Sequence, residues 1–220
     1  MRGTKRLFDL CWTIPALLVL WPALLVIALL IKLDDGGAVF FRQVRVGRCG
    51  RAFRVWKFRT MIPRAEQRGG PLTVGDDPRT TRFGRWLRHS KLDELPVLFK
   101  VLAGQMSLVG PRPEVPHYVA LYTPDQRRVL DLVPGITDPA TIVYRDESAL
   151  LAQTPDWERH YIEVIMPDKI RLNLAYAARA TRWADLIVVV DTLRSLVSRP
   201  ETTASQAAPA ASTQRSAAQL

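Results

Sequence analysis

Asp93 and Glu94 stand side by side in Ser90-Lys91-Leu92-Asp93-Glu94-Leu95-Pro96, the most chemically suggestive pair in the chain. An aspartate can attack phosphorus and hold it as an acyl phosphate, splitting one phosphoryl transfer into two easier displacements. Two anionic reactants must be screened before they meet. Mg²⁺ held by one or two carboxylates and by the substrate's own phosphates would do this, and Glu94 is its natural ligand. Arg88 and Arg112 could grip phosphate oxygens through the planar guanidinium fork. Arg112 lies in Gly110-Pro111-Arg112-Pro113-Glu114, where Pro111 and Pro113 restrict its backbone.

A structural role competes for Asp93. Pro96 is tolerated only in a first helical turn, which puts Asp93 at or near the N-cap, worth about 1 kcal/mol. Exposed N–H groups at the same helix start would also bind phosphate oxygens beside the carboxylate. Capping leaves Glu94 unexplained. No P-loop, GxGxxG or Ser-His-Asp arrangement is present. His89, His117 and His160 lack metal-ligand spacing, and Cys11 and Cys49 lack a CxxC context, so neither a zinc site nor a disulfide is expected.

The elements around these residues are those of one modest domain with appendages, in a chain of 220 residues carrying a formal charge of +10. The charge is focused: from Arg42 to Lys91 there are fourteen Lys or Arg against Glu66, Asp76 and Asp77. Such a block calls for an anionic partner: nucleic acid, an anionic leaflet or a phosphate-bearing small molecule. Before it, Leu10 to Ile31 runs for 22 residues without a charge, enough to cross about 30 Å of hydrocarbon. Pro22 near its middle, with Pro15, argues for a bend. Basic residues on both flanks, Arg2, Lys5 and Arg6 before and Lys32, Arg42, Arg45 and Arg48 after, favour a re-entrant hairpin over a span.

Ala38 to Val46 and Ala52 to Met61, joined by Gly47-Arg48-Cys49-Gly50, read as a β-hairpin. Its basic residues recur about every third position, as a solvated edge or a lipid-headgroup contact. Arg64 to Arg82 is loop-like. A helix with Leu95, Leu98, Phe99 and Leu102 on one face ends near Gly104. His117 to Leu132 is helical in parts, Pro167 opens a helix through Trp183, and a last helix carries Leu186 to Val197. From Pro200 the composition is that of a disordered tail.

The segments Phe40-Phe41-Arg42-Gln43-Val44-Arg45-Val46-Gly47, Lys57-Phe58-Arg59-Thr60-Met61, Asp77-Pro78-Arg79, Leu92-Asp93-Glu94-Leu95-Pro96, Met106 to Glu114 and Pro134-Gly135-Ile136-Thr137 together resemble the bacterial sugar transferases, the monotopic polyprenyl-phosphate phosphoglycosyl transferases. The resemblance covers roughly residues 5 to 197. It implies an α+β monotopic membrane protein: a re-entrant anchor (1–33), a small β-hairpin within a mostly helical cytoplasmic catalytic domain with interfacial helices (34–199), and the tail (200–220). It further implies that Asp93 attacks a UDP-sugar, releasing UMP, and that polyprenyl phosphate then takes the phosphosugar from the enzyme. Glu94 would serve Mg²⁺, and Arg88 and Arg112, with Pro111 and Pro113 around the latter, would contact the donor. The location implied is the cytoplasmic face of a bacterial inner membrane, with membrane lipid as a partner and a homodimer as an assembly to consider.

Three departures from the family pattern stand out. Trp21 replaces the Ser common before the helix-breaking Pro. Val97, Lys100 and Gln105 stand where Gln, Asn and Asp are common, and Asp138-Pro139-Ala140-Thr141 replaces Gly-Trp-Ala-Gln, a change expected to bear on sugar choice. A non-enzymatic membrane adaptor would account for the charge and the apolar run but leaves Asp93-Glu94 and Pro-Arg-Pro without work. Nucleic-acid binding is disfavoured, because the basic block adjoins the anchor and no recognition motif is present.

Overall fold

The structure, a computed structural model, describes residues 3–65 and 77–197. The tail from Pro200 and the Gly69-Gly70-Pro71 turn expected from the sequence lie outside the described residues. The described part is mostly helical, with two small two-stranded sheets.

Helix α1 (Gly3–Asp35) stays helical on both sides of Pro15 and Pro22. At 1.5 Å per residue it is about 50 Å long. Its mean hydropathy reaches 2.8 and only 17% of that window is buried, so it is long and apolar enough to cross a membrane by length and composition. Trp21 is exposed, as are Leu18, Val19, Leu25 and Leu29. Both ends of α1 nevertheless dock on the rest of the chain. Near the start, Arg6 donates to the carbonyls of Val101 and Leu102, while Asp9 accepts from Ser107 Oγ at 2.9 Å. Near the end, Ile27 and Ile31 pack with Phe58 and Leu87 in a buried cluster.

Strands β1 (Phe40–Val46) and β2 (Ala52–Phe58) pair antiparallel from Phe40↔Phe58 to Val46↔Ala52. The expected hairpin is present. The period of two divides its basic residues between faces. Phe41, Gln43 and Arg45 turn inward opposite Lys57, Val55 and Phe53, whereas Arg42 and Arg54 are exposed. Arg42 and Lys100 each lie over the Trp56 ring, at 5.1 and 4.7 Å from its centroid. The hairpin is therefore only partly a basic edge.

Helix α2 (Arg82–His89) is capped by Thr81, whose hydroxyl accepts from Gly84 N–H. Two residues beyond it, Lys91 is left-handed, with φ 56°, and opens a 3-10 helix from Leu92 to Val97 that leads into α3 (Leu98–Leu102). This corrects the capping reading: Lys91 holds the cap position, Asp93 is the second residue of the turn, and no side chain caps it. The tight 3-10 turn accommodates Pro96, so no capping carboxylate is required there.

A feature the sequence reading missed is a parallel pair, β3 (Ser107–Val109) with β4 (Gly135–Thr137). It brings Pro-Arg-Pro beside Pro-Gly-Ile-Thr across some 25 residues of chain. The contact needs glycine on both sides, since a Cβ on Gly135 would fall 2.2 Å from Gly110 N. The intervening and following helices are α4 (Pro116–Ala120), α5 (Pro139–Val143), α6 (Glu147–Ala152) and α7 (Trp157–His160), then α8 (Met166–Ala177) and α9 (Arg182–Val197). Tyr118, Val129, Leu151, Tyr161, Ile165 and Ile170 form a core to which α4, α6 and α8 contribute. The helix expected from Pro167 through Trp183 is in fact two, because α8 stops at Ala177 and Trp183 belongs to α9.

Candidate active site

Three backbone devices converge on one point. The 3-10 turn presents Asp93 and Glu94, the inner hairpin face presents Arg45 and Lys57, and the Pro-Arg-Pro segment after β3 presents Arg112. Lys57 Nζ donates to Glu94 Oε1 at 2.7 Å, and Arg112 Nη1 donates to Oε2 at 3.0 Å. The second Arg112 nitrogen donates to Oε1, making the guanidinium contact bidentate. Arg45 donates to Pro113 O at 3.0 Å and to Gln43 Oε1 at 2.7 Å, bracing the Pro-Arg-Pro backbone from below.

Asp93 is 8% exposed, yet among the described residues its carboxylate makes no hydrogen bond. Its lone pairs are unspent and face a cleft of about 1930 Å³. Arg88, Asp93, Glu94, Pro111, Arg112 and Pro113 all line that cleft, so the structure brings together every site residue expected from the sequence. Arg88 reaches it from α2, where its Nε donates to Thr60 Oγ1 at 2.8 Å. The lining of the cleft also includes Trp12, Ala16 and Leu20 of α1 and Tyr122, Tyr144 and Tyr161. Its volume exceeds the roughly 300–1,000 Å³ of a single small-molecule pocket.

Electrostatics separate the two acids. Burial pushes the Asp93 carboxyl above its ordinary value, and the adjacent Glu94 charge pushes the same way against Lys57, Arg88 and Lys91. Burial would also raise Glu94, but the charges and hydrogen bonds of Arg112 and Lys57 overcome it and hold that carboxyl well below its usual range. Arg112 is held more firmly charged, chiefly by Glu94. Burial lowers Lys57 and Arg45, and the neighbouring cations lower them further, although Glu94 and Glu114 oppose the trend. Such a centre holds one constant anion, Glu94, inside fixed positive charge, with Asp93 as the acid that can change state.

The donor set suits a shared Mg²⁺ rather than a protein cage. Among the described residues no group of three or more His, Cys, Asp or Glu could hold a metal. Mg²⁺ commonly takes one or two carboxylates and completes its shell with water and substrate phosphate. Asp93, with free oxygens, and Glu94, which would share oxygens with Arg112 and Lys57, meet that demand.

Sequence reasoning missed the inward placement of Arg45 and Lys57, which it had assigned to a solvated edge or lipid contact. The two-residue strand period, counted from the buried Val55, would have found both. It also missed Glu114, which joins Arg45 at 3.4 Å to the Tyr161 hydroxyl, and Asp138, whose partners are 26 or more residues away on one side. No short-range signal marks such pairs.

The chain is similar to known proteins along most of its length. A family model described as bacterial sugar transferase matches residues 1–199. The chain is 38% identical over 192 residues to the UDP-glucose:undecaprenyl-phosphate glucose-1-phosphate transferase of Xanthomonas campestris pv. campestris, covering 84% of this chain and 37% of that protein. It is 34% identical over 198 residues to the UDP-N-acetylgalactosamine-undecaprenyl-phosphate N-acetylgalactosaminephosphotransferase of Aeromonas hydrophila, covering 88% and 43%. To the uncharacterized sugar transferase EpsL of Bacillus subtilis (strain 168) it is 36% identical over 193 residues, covering 88% and 87%. The chain thus spans less than half of the first two relatives and most of the third.

Proposed function

This chain belongs to the bacterial sugar transferase family, and from that premise we propose that it is a phosphoglycosyl transferase, moving a sugar 1-phosphate from a UDP-sugar to polyprenyl phosphate at a membrane. The observation that carries the reading is Asp93, a buried carboxylate with unspent lone pairs, aimed into a cleft that joins a cationic centre to the apolar helix α1. The names of the relatives support the substrate classes.

In the first step an Asp93 oxygen attacks the phosphorus bearing the sugar. The anhydride P–O bond breaks, and UMP leaves with the bridging oxygen. A phosphate oxygen of the polyprenyl acceptor then attacks the same phosphorus, breaking the bond to Asp93 and yielding a polyprenyl-diphosphate-linked sugar. Arg112, Lys57 and Arg88 supply fixed positive charge where negative charge accumulates. Glu94 orients Arg112 and Lys57 and, with Asp93, would hold Mg²⁺; that ion, when bound, screens the anionic reactants and polarises the phosphoryl oxygen. Pro111 and Pro113 keep the Arg112 backbone in place.

The acceptor would reach the site along α1. Lys5, Arg6 and Asp9 at one end of that helix and Ile27 and Ile31 at the other all contact the same body. A crossing helix would carry one of those ends to the far side of the bilayer, so the double docking favours entry and return through one leaflet. The cytoplasmic face of a bacterial inner membrane is the matching location, where UDP-sugars and the lipid acceptor meet.

The test is UMP release from a panel of UDP-sugars by purified protein, with and without polyprenyl phosphate. The parental chain should release UMP and label Asp93 with phosphosugar; Asp93→Asn should do neither. Release by Asp93→Asn at the parental rate would sink the covalent route. Glu94→Gln should weaken the Mg²⁺ dependence, and an unchanged metal titration would remove the metal role from Glu94. Labelling of cysteines placed before Arg2 and after Asp34 from opposite sides of the membrane would overturn the re-entrant topology.

A further inference from the structure

Pro111-Arg112-Pro113 has a single backbone N–H, because proline has none. That one donor, on Arg112, goes to Asp138 Oδ2 at 2.8 Å. Asp138 is 2% exposed. Its other oxygen accepts from Thr141 N–H at 2.6 Å as the N-cap of α5, and Asn173 Nδ2 on α8 lies 3.4 Å from Oδ2. The preceding residue fixes the same corner, since Thr137 Oγ1 meets Thr192 Oγ1 of α9 at 2.6 Å. One buried carboxylate therefore ties α5 and α8 to the only backbone N–H of the Pro-Arg-Pro segment.

We propose that Asp138 is a positioning residue for Arg112: it fixes the main chain while Glu94 fixes the guanidinium, so that the cation meets the substrate phosphate without reorganising. This gives the Asp138-Pro139-Ala140-Thr141 segment a job other than sugar choice. Pro139 starts α5, where a missing N–H costs nothing, and Asp138 spends one oxygen on the helix and the other on Arg112. An amide in its place has one acceptor oxygen for two N–H groups. If the helix cap keeps that oxygen, the NH₂ faces the Arg112 N–H.

The kinetic half of the test rests on the function proposed above; the exchange half does not. In full-length protein, amide hydrogen exchange is followed at Arg112 in parental, Asp138→Asn and Asp138→Ser chains. Serine caps helices but is too short to reach Arg112, so Asp138→Ser keeps the α5 cap while removing the Arg112 contact, and exchange at residues of α4 and α6 is read alongside to separate a local opening from a global loss of stability. Asp138→Ser should speed Arg112 exchange at least about tenfold, the signature of a lost hydrogen bond to a buried carboxylate, and Asp138→Asn should speed exchange at Arg112 or at Thr141, whichever N–H loses the single acceptor oxygen. Parental protection at Arg112 in Asp138→Ser, or at both positions in Asp138→Asn, would overturn the clamp. UMP release is measured in parallel: Asp138→Ser should lower kcat on the order of 10- to 100-fold, as misplacement of a positioned group does. In an Arg112→Lys background the same change should cost less than about twofold more, because the two act as one unit. Additive losses would overturn the positioning role. No UMP release by the parental chain from any UDP-sugar would reject the proposed reaction, while the exchange result still decides the clamp.

Discussion

Among the buried aspartates of the described residues, Asp9 on α1 and Asp93 in the cleft make the most useful pair to compare, because one is held by the scaffold and the other faces open space. Asp9 is 0% exposed; its Oδ1 accepts from Ser107 Oγ and from Leu108 N–H at 3.1 Å, with Lys5 3.9 Å away. Lys5 also bridges to Asp185 at 3.0 Å, which in turn accepts from Tyr176 at 2.8 Å. Asp9 Oδ1 is spent on the Ser107 and Leu108 contacts, its Oδ2 is buried with no hydrogen-bond partner among the described residues, and Asp9 is absent from the cleft lining, so its remaining lone pairs have no access. Asp93 is nearly as buried but spends nothing on hydrogen bonds within the described protein. Its neighbour Glu94 absorbs the Lys57 and Arg112 charges instead. Burial alone therefore does not mark a reactive carboxylate. Access, with lone pairs left over and cations already held by someone else, does.

The comparison breaks most sharply at Asp93. Asp93→Asn is nearly isosteric and should leave stability close to parental while lowering UMP release by about 10⁴-fold or more, as loss of a covalent nucleophile does. A residual rate near parental in a quenched-flow assay would make the two aspartates equivalent. Next is Arg112→Lys, which keeps the charge but loses the bidentate fork to Glu94. A loss of about 10²-fold in kcat/KM is expected, the size of removing one preorganised charge-stabilising donor.

Asp9 should show the opposite profile. Asp9→Ala strands the Ser107 hydroxyl, the Leu108 N–H and part of the Lys5 charge in a buried site, at a cost of about 3 kcal/mol. Denaturant unfolding should report that loss, while kcat at saturating substrates stays within about threefold for the fraction still folded. A large kcat effect with unchanged stability would mean that the foot of α1 belongs to the reactive centre.

The same contrast explains what could be read in advance. Asp93-Glu94, Arg88 and Pro-Arg-Pro are local signals: adjacent acids, and a cation fenced by prolines. The hairpin and the apolar run are local too, because strand period and charge-free length act over ten to twenty residues. Arg45 and Lys57 are local as well, but the three-residue recurrence of charge in the hairpin masks the two-residue period that turns both inward. The parallel β3–β4 contact and Asp138 depend on main chain from distant segments meeting at Gly110 and Gly135. Nothing short-range specifies that. Nor does any short-range signal mark Asp9, whose contact with Ser107, 98 residues on, gives α1 a fixed foot.

The finest discrimination between the regions lies in pH. In the proposed route Asp93 must be ionised to attack, and burial together with Glu94 raises its folded-state value, so the acid limb of kcat/KM should lie above the ordinary carboxylate range of about 4. Glu94, held well below its usual value, stays ionised across that limb and contributes no inflection of its own there. Glu94→Gln removes the negative neighbour and frees the Lys57 and Arg112 charges to act on Asp93. Both changes favour the Asp93 anion. The acid limb should then move to lower pH even though the absolute rate falls. Loss of the acid limb in Glu94→Gln would mean that Glu94, and not Asp93, is the group whose protonation stops the reaction, and the division of labour between the two acids would have to be reversed.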